Sequence, residues 1–299
     1  MPLWGSPEDE VGLNERQRRE LMCEIGRRCY AAKFNDANGG NISCRLDEGR
    51  VLCTPTLISK GYMEPSDLVI VDMEGKQIEG HRTRSSEVLL HLYCYKRRPE
   101  VKAVIHAHPR NATAFAVTNT PVPKCVIPEI EVFVGEVPIT EYADVGTPRL
   151  PESLAPYIQD FTVFLLSNHG ALSLGSGLID AFWKMEIIDA YCETILKAMT
   201  LGPLSQVSAA SMQHIFSIKK SLGIPDRRIN DPTSARCEVP APAPGRPGDM
   251  ASAVFFAPPA TSACPPARSD ASSGAAAPGV DENLIRQITQ RVLERLARL

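Results

Sequence analysis

Glu87, His106, His108 and His169 could do chemistry together, because three imidazoles and one carboxylate complete the ligand set of a zinc-like ion. His106 and His108 stand at i and i+2 in Val-Lys-Ala-Val-Ile-His-Ala-His, a β-branched apolar run that reads as a buried strand. Side chains two apart on a strand leave from the same face, so both nitrogens are offered to one ion. His169 follows a second such run, Phe-Thr-Val-Phe-Leu-Leu-Ser-Asn, and precedes Gly170, where a strand gives way to a turn. Glu87 is placed in the first turn of a helix opened by Ser85-Ser86. A catalytic zinc needs one position that water or substrate can take, so one of the four ligands must be displaceable. The carboxylate is the natural one, since a released Glu87 becomes a general base beside the ion. His91, one helical turn after Glu87, could replace it as a ligand or support it from behind. His81 and His214 fall in polar or helical contexts and read as surface residues.

The elements that must position these side chains alternate in type. Apolar positions Leu21, Met22, Ile25 and Cys29 predict a helix over Asn14 to Lys33, ending before the turn-rich 35–40 segment. Asn41 to Leu46 and Val51 to Thr54 flank Asp47-Glu48-Gly49 as a hairpin, and Leu68 to Met73 reads as the next strand. A helix over Ser86 to Arg98 precedes the strand of His106 and His108, and a short helix near Asn111 to Val117 follows it. Strands near Val132 to Ile139 and Thr162 to Ser167 come next. Helices near Leu178 to Thr200 and Ser205 to Leu222 complete a layered α/β domain over residues 1–225.

With 299 residues, 43% of them hydrophobic and 22% charged, the chain can bury a full core. A net charge of -3 and the lack of a long basic cluster exclude nucleic acid as an implied partner. The opening residues lack the basic and apolar regions of a secretory signal, and no run of about 18 apolar residues could span a bilayer. The expectation is therefore a soluble, cytoplasmic protein with no membrane partner. Nine scattered cysteines without a C-x-x-C fit reduced packing thiols.

Composition shifts after Asp226. From Glu238 to Val280, Pro, Ala, Gly and Ser fill 30 of 43 positions, too little apolar surface to offset the entropy lost on ordering. Residues 226–280 are thus expected to be a disordered, flexible linker. Over 281–299, Leu284, Ile285, Ile288, Val292, Leu296 and Leu299 share one helical face, predicting an amphipathic helix about 28 Å long that Asp281 can cap. A tethered helix of this length is marginal alone, so docking onto another protein is expected of it.

Gly39-Gly40-Asn41-Ile42-Ser43, Thr54-Pro55-Thr56, Ser85-Ser86-Glu87, His106-Ala107-His108 and Asn168-His169-Gly170, in that order, resemble the class II aldolase and adducin family over roughly Asn14 to Gly223. The resemblance implies a three-layer α/β/α sandwich with a mostly antiparallel central sheet and a homotetramer with active sites at subunit interfaces. It also implies one Zn2+ per subunit on Glu87, His106, His108 and His169, with Glu87 as catalytic acid/base. Asn41, Thr56, Ser85 and Ser86 match the family's phosphate-binding positions. Exposed N–H groups in a Gly-rich turn and at a helix start suit an anion. The implied reaction cleaves a ketose 1-phosphate, of the L-fuculose or L-rhamnulose 1-phosphate type, to dihydroxyacetone phosphate and a short aldehyde such as lactaldehyde.

Two departures bear on substrate choice. Leu57 stands where the family's Thr-Pro-Thr motif is followed by glycine, and Ile127 and Leu222 occupy aldehyde-side tyrosine positions, with Tyr142, Glu129 and Glu131 as replacements. Epimerases, dehydratases and decarboxylases of sugar phosphates resemble the chain too, as do non-catalytic adducin-like interaction proteins. Glu87 rather than aspartate favours the aldolase branch over epimerases, and the intact ligand set argues against the adducin-like role. The tail resembles encapsulation peptides that dock enzymes on shell proteins. That implies a shell-protein partner through residues 281–299 and a place inside a bacterial microcompartment.

Overall fold

In the computed structural model, which describes residues 5–231, helix α1 (Glu15–Ala31) begins at a reciprocal cap. The Asn14 side chain accepts from the Gln17 N–H and the Gln17 side chain accepts from the Asn14 N–H, both at 3.0 Å. Strands β1 (Asn41–Arg45) and β2 (Arg50–Cys53) form the expected hairpin, with the Asp47 side chain accepting from the N–H groups of Gly49 and Arg50 in the turn. Strands β3 (Val69–Asp72) and β4 (Gln77–Glu79) follow, and then helix α2 (Val88–Arg97). Strand β5 (Ala103–Ala107) leads into helix α3 (Arg110–Thr118), helix α4 (Pro128–Phe133) and strand β6 (Ile139–Thr140). Helix α5 (Arg149–Glu152), strands β7 (Val163–Leu166) and β8 (Gly170–Gly175), and helices α6 (Leu178–Leu201) and α7 (Ala209–Ser221) complete the described chain.

The eight strands make one sheet in the order β4-β3-β2-β1-β5-β8-β7-β6. Strand β6 pairs parallel with β7 while the other pairs are antiparallel, so the sheet is mixed and corrects the expected mostly antiparallel one. The parallel pair arises because the chain crosses through α5 between β6 and β7, which a tight hairpin cannot do. Alternation along the strands serves two cores. Ile42, Ile105 and Leu165 face one core shared with α1, α3 and α6, whereas Val104, Phe164 and Leu172 face another shared with α2 and α5. Each fully buried aliphatic side chain contributes about 1.5–3 kcal/mol. Strands buried on both faces explain the near-continuous apolar runs around His106 and before His169.

The strand expected over Val132 to Ile139 is largely absent. Pro128 supplies a preset φ at the first helical position and Glu129 and Glu131 favour the positive end of a helix, so residues 128–133 coil instead and only Ile139–Thr140 pair. Helix α2 starts two residues later than expected, with Glu87 as its N-cap residue. Among the described residues six cysteines, Cys23, Cys29, Cys44, Cys53, Cys94 and Cys192, are free and buried. Among the described residues no helix is long and apolar enough to cross a membrane. The expected linker beyond residue 231 and the helix over 281–299 lie outside the described residues.

Residues 226–231, placed by composition at the head of the linker, pack on the domain. Arg228 is 3% exposed and pairs with Glu131 and Asp226, each at 2.8 Å, while Asp226 also accepts from Lys219 at 2.7 Å. Removing one member of a buried ionic group strands the others without water. Arg228→Ala is therefore expected to lower the unfolding free energy by about 3 kcal/mol, measured by chemical denaturation.

Candidate metal centre

His106 lies on β5 directly opposite Asn41 of β1 and Leu172 of β8, at the middle of the sheet. It is fully buried, and its Nδ1 donates to the Ala171 carbonyl at 2.9 Å, which leaves the lone pair of the neutral ring on Nε2. His108 sits just past the end of β5, where its backbone N–H donates to the Phe34 carbonyl at 2.8 Å. His169 occupies the turn between β7 and β8. Asn168 before it takes the left-handed φ of 54° that asparagine tolerates, and its N–H donates to Ala116 of α3. Gly40 and Gly170 are required by close approach. A side chain on Gly40 would meet Asn35 and the His106 carbonyl, and one on Gly170 would come within 2.6 Å of the Ala107 carbonyl and the His108 ring.

The three imidazoles converge. Nε2 of His106 is 3.1 Å from Nε2 of His169 and 3.1 Å from Nε2 of His108. Nitrogens around a tetrahedral zinc at about 2.0–2.1 Å lie roughly 3.3 Å from one another, so the spacing fits one ion. Glu87 lies beside two of them, with Oε2 3.5 Å from His106 Nε2 and 3.8 Å from His169 Nε2. That oxygen is buried with no hydrogen-bond partner. An orphaned carboxylate oxygen facing clustered imidazole nitrogens is the condition a cation relieves, so the residues fit a divalent ion.

The charges are tuned by burial. Desolvation lowers His106 well below the usual imidazole range, helped by His169 and His108, and lowers His169 to about 4. His108 is lowered as well, again by burial. All three rings are therefore neutral donors near pH 7. Glu87 moves the other way. Burial pushes it up to about 6, against the Asn41 side-chain hydrogen bond and the charge of Lys60.

The three expected histidines thus form one cluster, and the Glu87 carboxylate approaches two of them, His106 and His169. His91 is not part of this cluster. Its Nδ1 lies 2.7 Å from Ser43 Oγ, which also meets the Tyr95 hydroxyl at 2.7 Å, all buried beneath β1. His81 and His214 are exposed as expected. Of the expected phosphate positions, Asn41 and Ser85 are buried against Glu87, and Ser85 Oγ accepts from the Glu87 N–H at 3.3 Å. Thr56 lines a cavity of about 380 Å3 with Leu57, His81, Arg82 and Thr83, and Ser86 is exposed. Leu57 keeps the left-handed backbone a glycine would adopt, φ 55°, with its side chain 79% exposed.

The aldehyde-side replacements do not gather here. Glu131 is committed to Arg228, exposed Tyr142 donates to Asp144, and Glu129 lines a separate cavity of about 680 Å3 whose walls contain none of the cluster residues. Reading the sequence missed Lys60. It is 2% exposed, donates to the carbonyls of Asn38 and Ile58 at 2.9 and 2.8 Å, and is lowered to about 8 by burial. A Lys-Gly-Tyr turn carries no periodic signal that would mark it.

Residues 20–196 match the model of the class II aldolase and adducin N-terminal domain. A 3-oxo-tetronate 4-phosphate decarboxylase of Haemophilus influenzae is 35% identical over 173 residues, covering 56% of this chain and 82% of that protein. An L-fuculose phosphate aldolase of Methanococcus vannielii is 35% identical over 160 residues, covering 54% of this chain and 85% of that one. The crystal structure of the YgbL protein of Klebsiella pneumoniae superposes with a TM-score of 0.64 at 30% identity, covering 68% of this chain and all of its own.

Protons and the ion compete for the same atoms. As pH falls through about 6, Glu87 takes a proton and zinc affinity is expected to drop about tenfold per pH unit, steepening near pH 4 as His169 protonates. Zinc titration calorimetry on chelator-treated protein between pH 4 and 8 checks this slope.

Proposed function

Because the chain belongs to the class II aldolase and adducin family, we propose that it is a metal-dependent aldolase cleaving a ketose 1-phosphate of the L-fuculose or L-rhamnulose 1-phosphate type. The observation that carries this reading is the Glu87 carboxylate within 3.5–3.8 Å of two converging imidazoles, held by burial at a pKa of about 6. An acid/base group works best when its pKa lies near the working pH. A divalent ion in the site, zinc by the donor set, would supply Lewis-acid polarisation of the substrate carbonyl.

The chain's own residues do the rest. The substrate phosphate is held by Asn41, Thr56, Ser85 and Ser86, which fixes C3 beside Glu87. When the proton leaves the C4 hydroxyl and the C3–C4 bond breaks, the electron pair stays on C3. Glu87 protonates that carbon to give dihydroxyacetone phosphate, and the same carboxylate removes the proton in the condensation direction. The C4 proton needs a second acceptor, and none of Glu129, Glu131 and Tyr142 stands at the histidines. A homotetramer with its sites at subunit interfaces would let a neighbouring copy supply it.

A second reading rests on the relative from Haemophilus influenzae, a decarboxylase of a 3-oxo acid phosphate. Loss of carbon dioxide also leaves an electron pair on a carbon beside a carbonyl, so the same Glu87 would protonate it. Incubation with fuculose, rhamnulose and ribulose 1-phosphates and with 3-oxo-tetronate 4-phosphate separates the two. Dihydroxyacetone phosphate with an aldehyde is expected from a ketose phosphate, and carbon dioxide released from the oxo acid alone would overturn the aldolase. Glu87→Gln, assayed with zinc in excess because loss of the carboxylate weakens ion binding, is expected to cut turnover by about 100-fold or more. A fully active Glu87→Gln removes this residue from the mechanism.

The tail fits the same proposal. Residues 281–299 dock on a shell protein and place the cytoplasmic enzyme inside a bacterial microcompartment, where a reactive aldehyde is confined. A fluorescent reporter carrying residues 281–299 is expected to form foci with shells in a host that makes them. Diffuse fluorescence would end that part of the proposal.

A further inference from the structure

Lys60 is a buried cation without an anion. An ammonium has three N–H donors, and two of them go to neutral carbonyls, those of Asn38 and Ile58. Among the described residues no carboxylate lies within ion-pair distance of it, and Glu87 acts on it only as a charge at longer range. Burying such a group is costly unless something else requires its charge. Its backbone is also fixed. Helix α1 packs so closely on the Lys60–Tyr62 turn that a side chain at Gly26 would strike the Lys60 carbonyl, and Tyr30 meets Tyr62 edge-on at 5.4 Å.

The two carbonyls identify what the ammonium joins. Asn38 belongs to the turn that delivers Gly40 and Asn41, and Ile58 belongs to the loop that carries Thr56 and Leu57. Both segments bear expected phosphate residues. We infer that Lys60 is a positioning residue for the substrate's phosphate: it clamps these two segments together and leaves the site with an uncompensated positive charge that a phosphate dianion neutralises. This rests on the phosphorylated-substrate reading above. It also accounts for a lysine here rather than an apolar residue, because an apolar side chain would neither hold two carbonyls nor favour an anion.

Inorganic phosphate is the probe. Its dissociation constant is measured by calorimetry on the as-purified protein, for wild type, Lys60→Met and Lys60→Arg, beside zinc content, melting temperature and steady-state cleavage. Lys60→Met is expected to weaken phosphate binding and raise KM by about tenfold or more, with kcat falling less than about threefold and zinc content unchanged. Lys60→Arg, which keeps the charge, is expected to recover most of that loss. If Lys60→Met binds phosphate as wild type does, or loses kcat alone, the inference is overturned. Should Lys60→Met fail to fold, Lys60→Arg decides: retained phosphate affinity supports the inference and lost affinity overturns it. A wild-type protein that binds phosphate but cleaves no ketose phosphate sinks the proposed reaction and leaves this inference standing.

Discussion

The structure depends on the mutual approach of three neutral imidazole nitrogens and one carboxylate oxygen around a fully buried His106. His106 Nε2 has two other Nε2 atoms at 3.1 Å and a carboxylate at 3.5 Å, a grouping that protons alone cannot satisfy. Such a cluster survives only because the fold over-determines it. β5 sits between β1 and β8, the Ala171 carbonyl fixes the His106 ring, and the β7–β8 turn delivers His169 through a left-handed Asn168. The sheet is first of all a device for bringing two strand ends to one point.

Burial acts on the charges around that point in opposite directions. It raises Glu87 and lowers His106, His108, His169 and Lys60, so each group is moved toward its neutral form. The consequence is a site with soft, neutral nitrogen donors, a carboxylate able to carry a proton near neutral pH, and a lysine whose charge has no local partner. Shifted charges gathered at one place mark a candidate functional site.

The relatives divide between carbon–carbon cleavage and decarboxylation of phosphorylated substrates. The division is physically sensible, since both reactions place an electron pair on a carbon next to a carbonyl and need one proton returned to it. Differences in substrate then fall to the rim. Here the rim carries Leu57 in a backbone conformation that costs an ordinary side chain about 1–2 kcal/mol, a cost glycine would not bear. Its apolar side chain lines the Thr56 cavity and is largely exposed.

By itself the sequence determined the ligand types and most of the scaffold. The i, i+2 histidines had to share a face because strand geometry has period two, and the capping residues at Asn14 and the hairpin turn at Asp47 act through local hydrogen bonds that sequence displays. Tertiary structure decided everything that depends on partners distant in sequence. Glu131 was drawn into a buried pair with Arg228, 97 positions later, whereas the helix after Pro128 came from local start signals that outweighed its apolar alternation. Glu87 reached the imidazoles only because α2 begins beside β1, and the function of Lys60 became visible only when two carbonyls, 22 and 2 positions away, closed on its ammonium. Periodicity reports which face a residue takes, whereas burial and charge compensation arise from the assembled neighbours, and those the linear order does not encode locally.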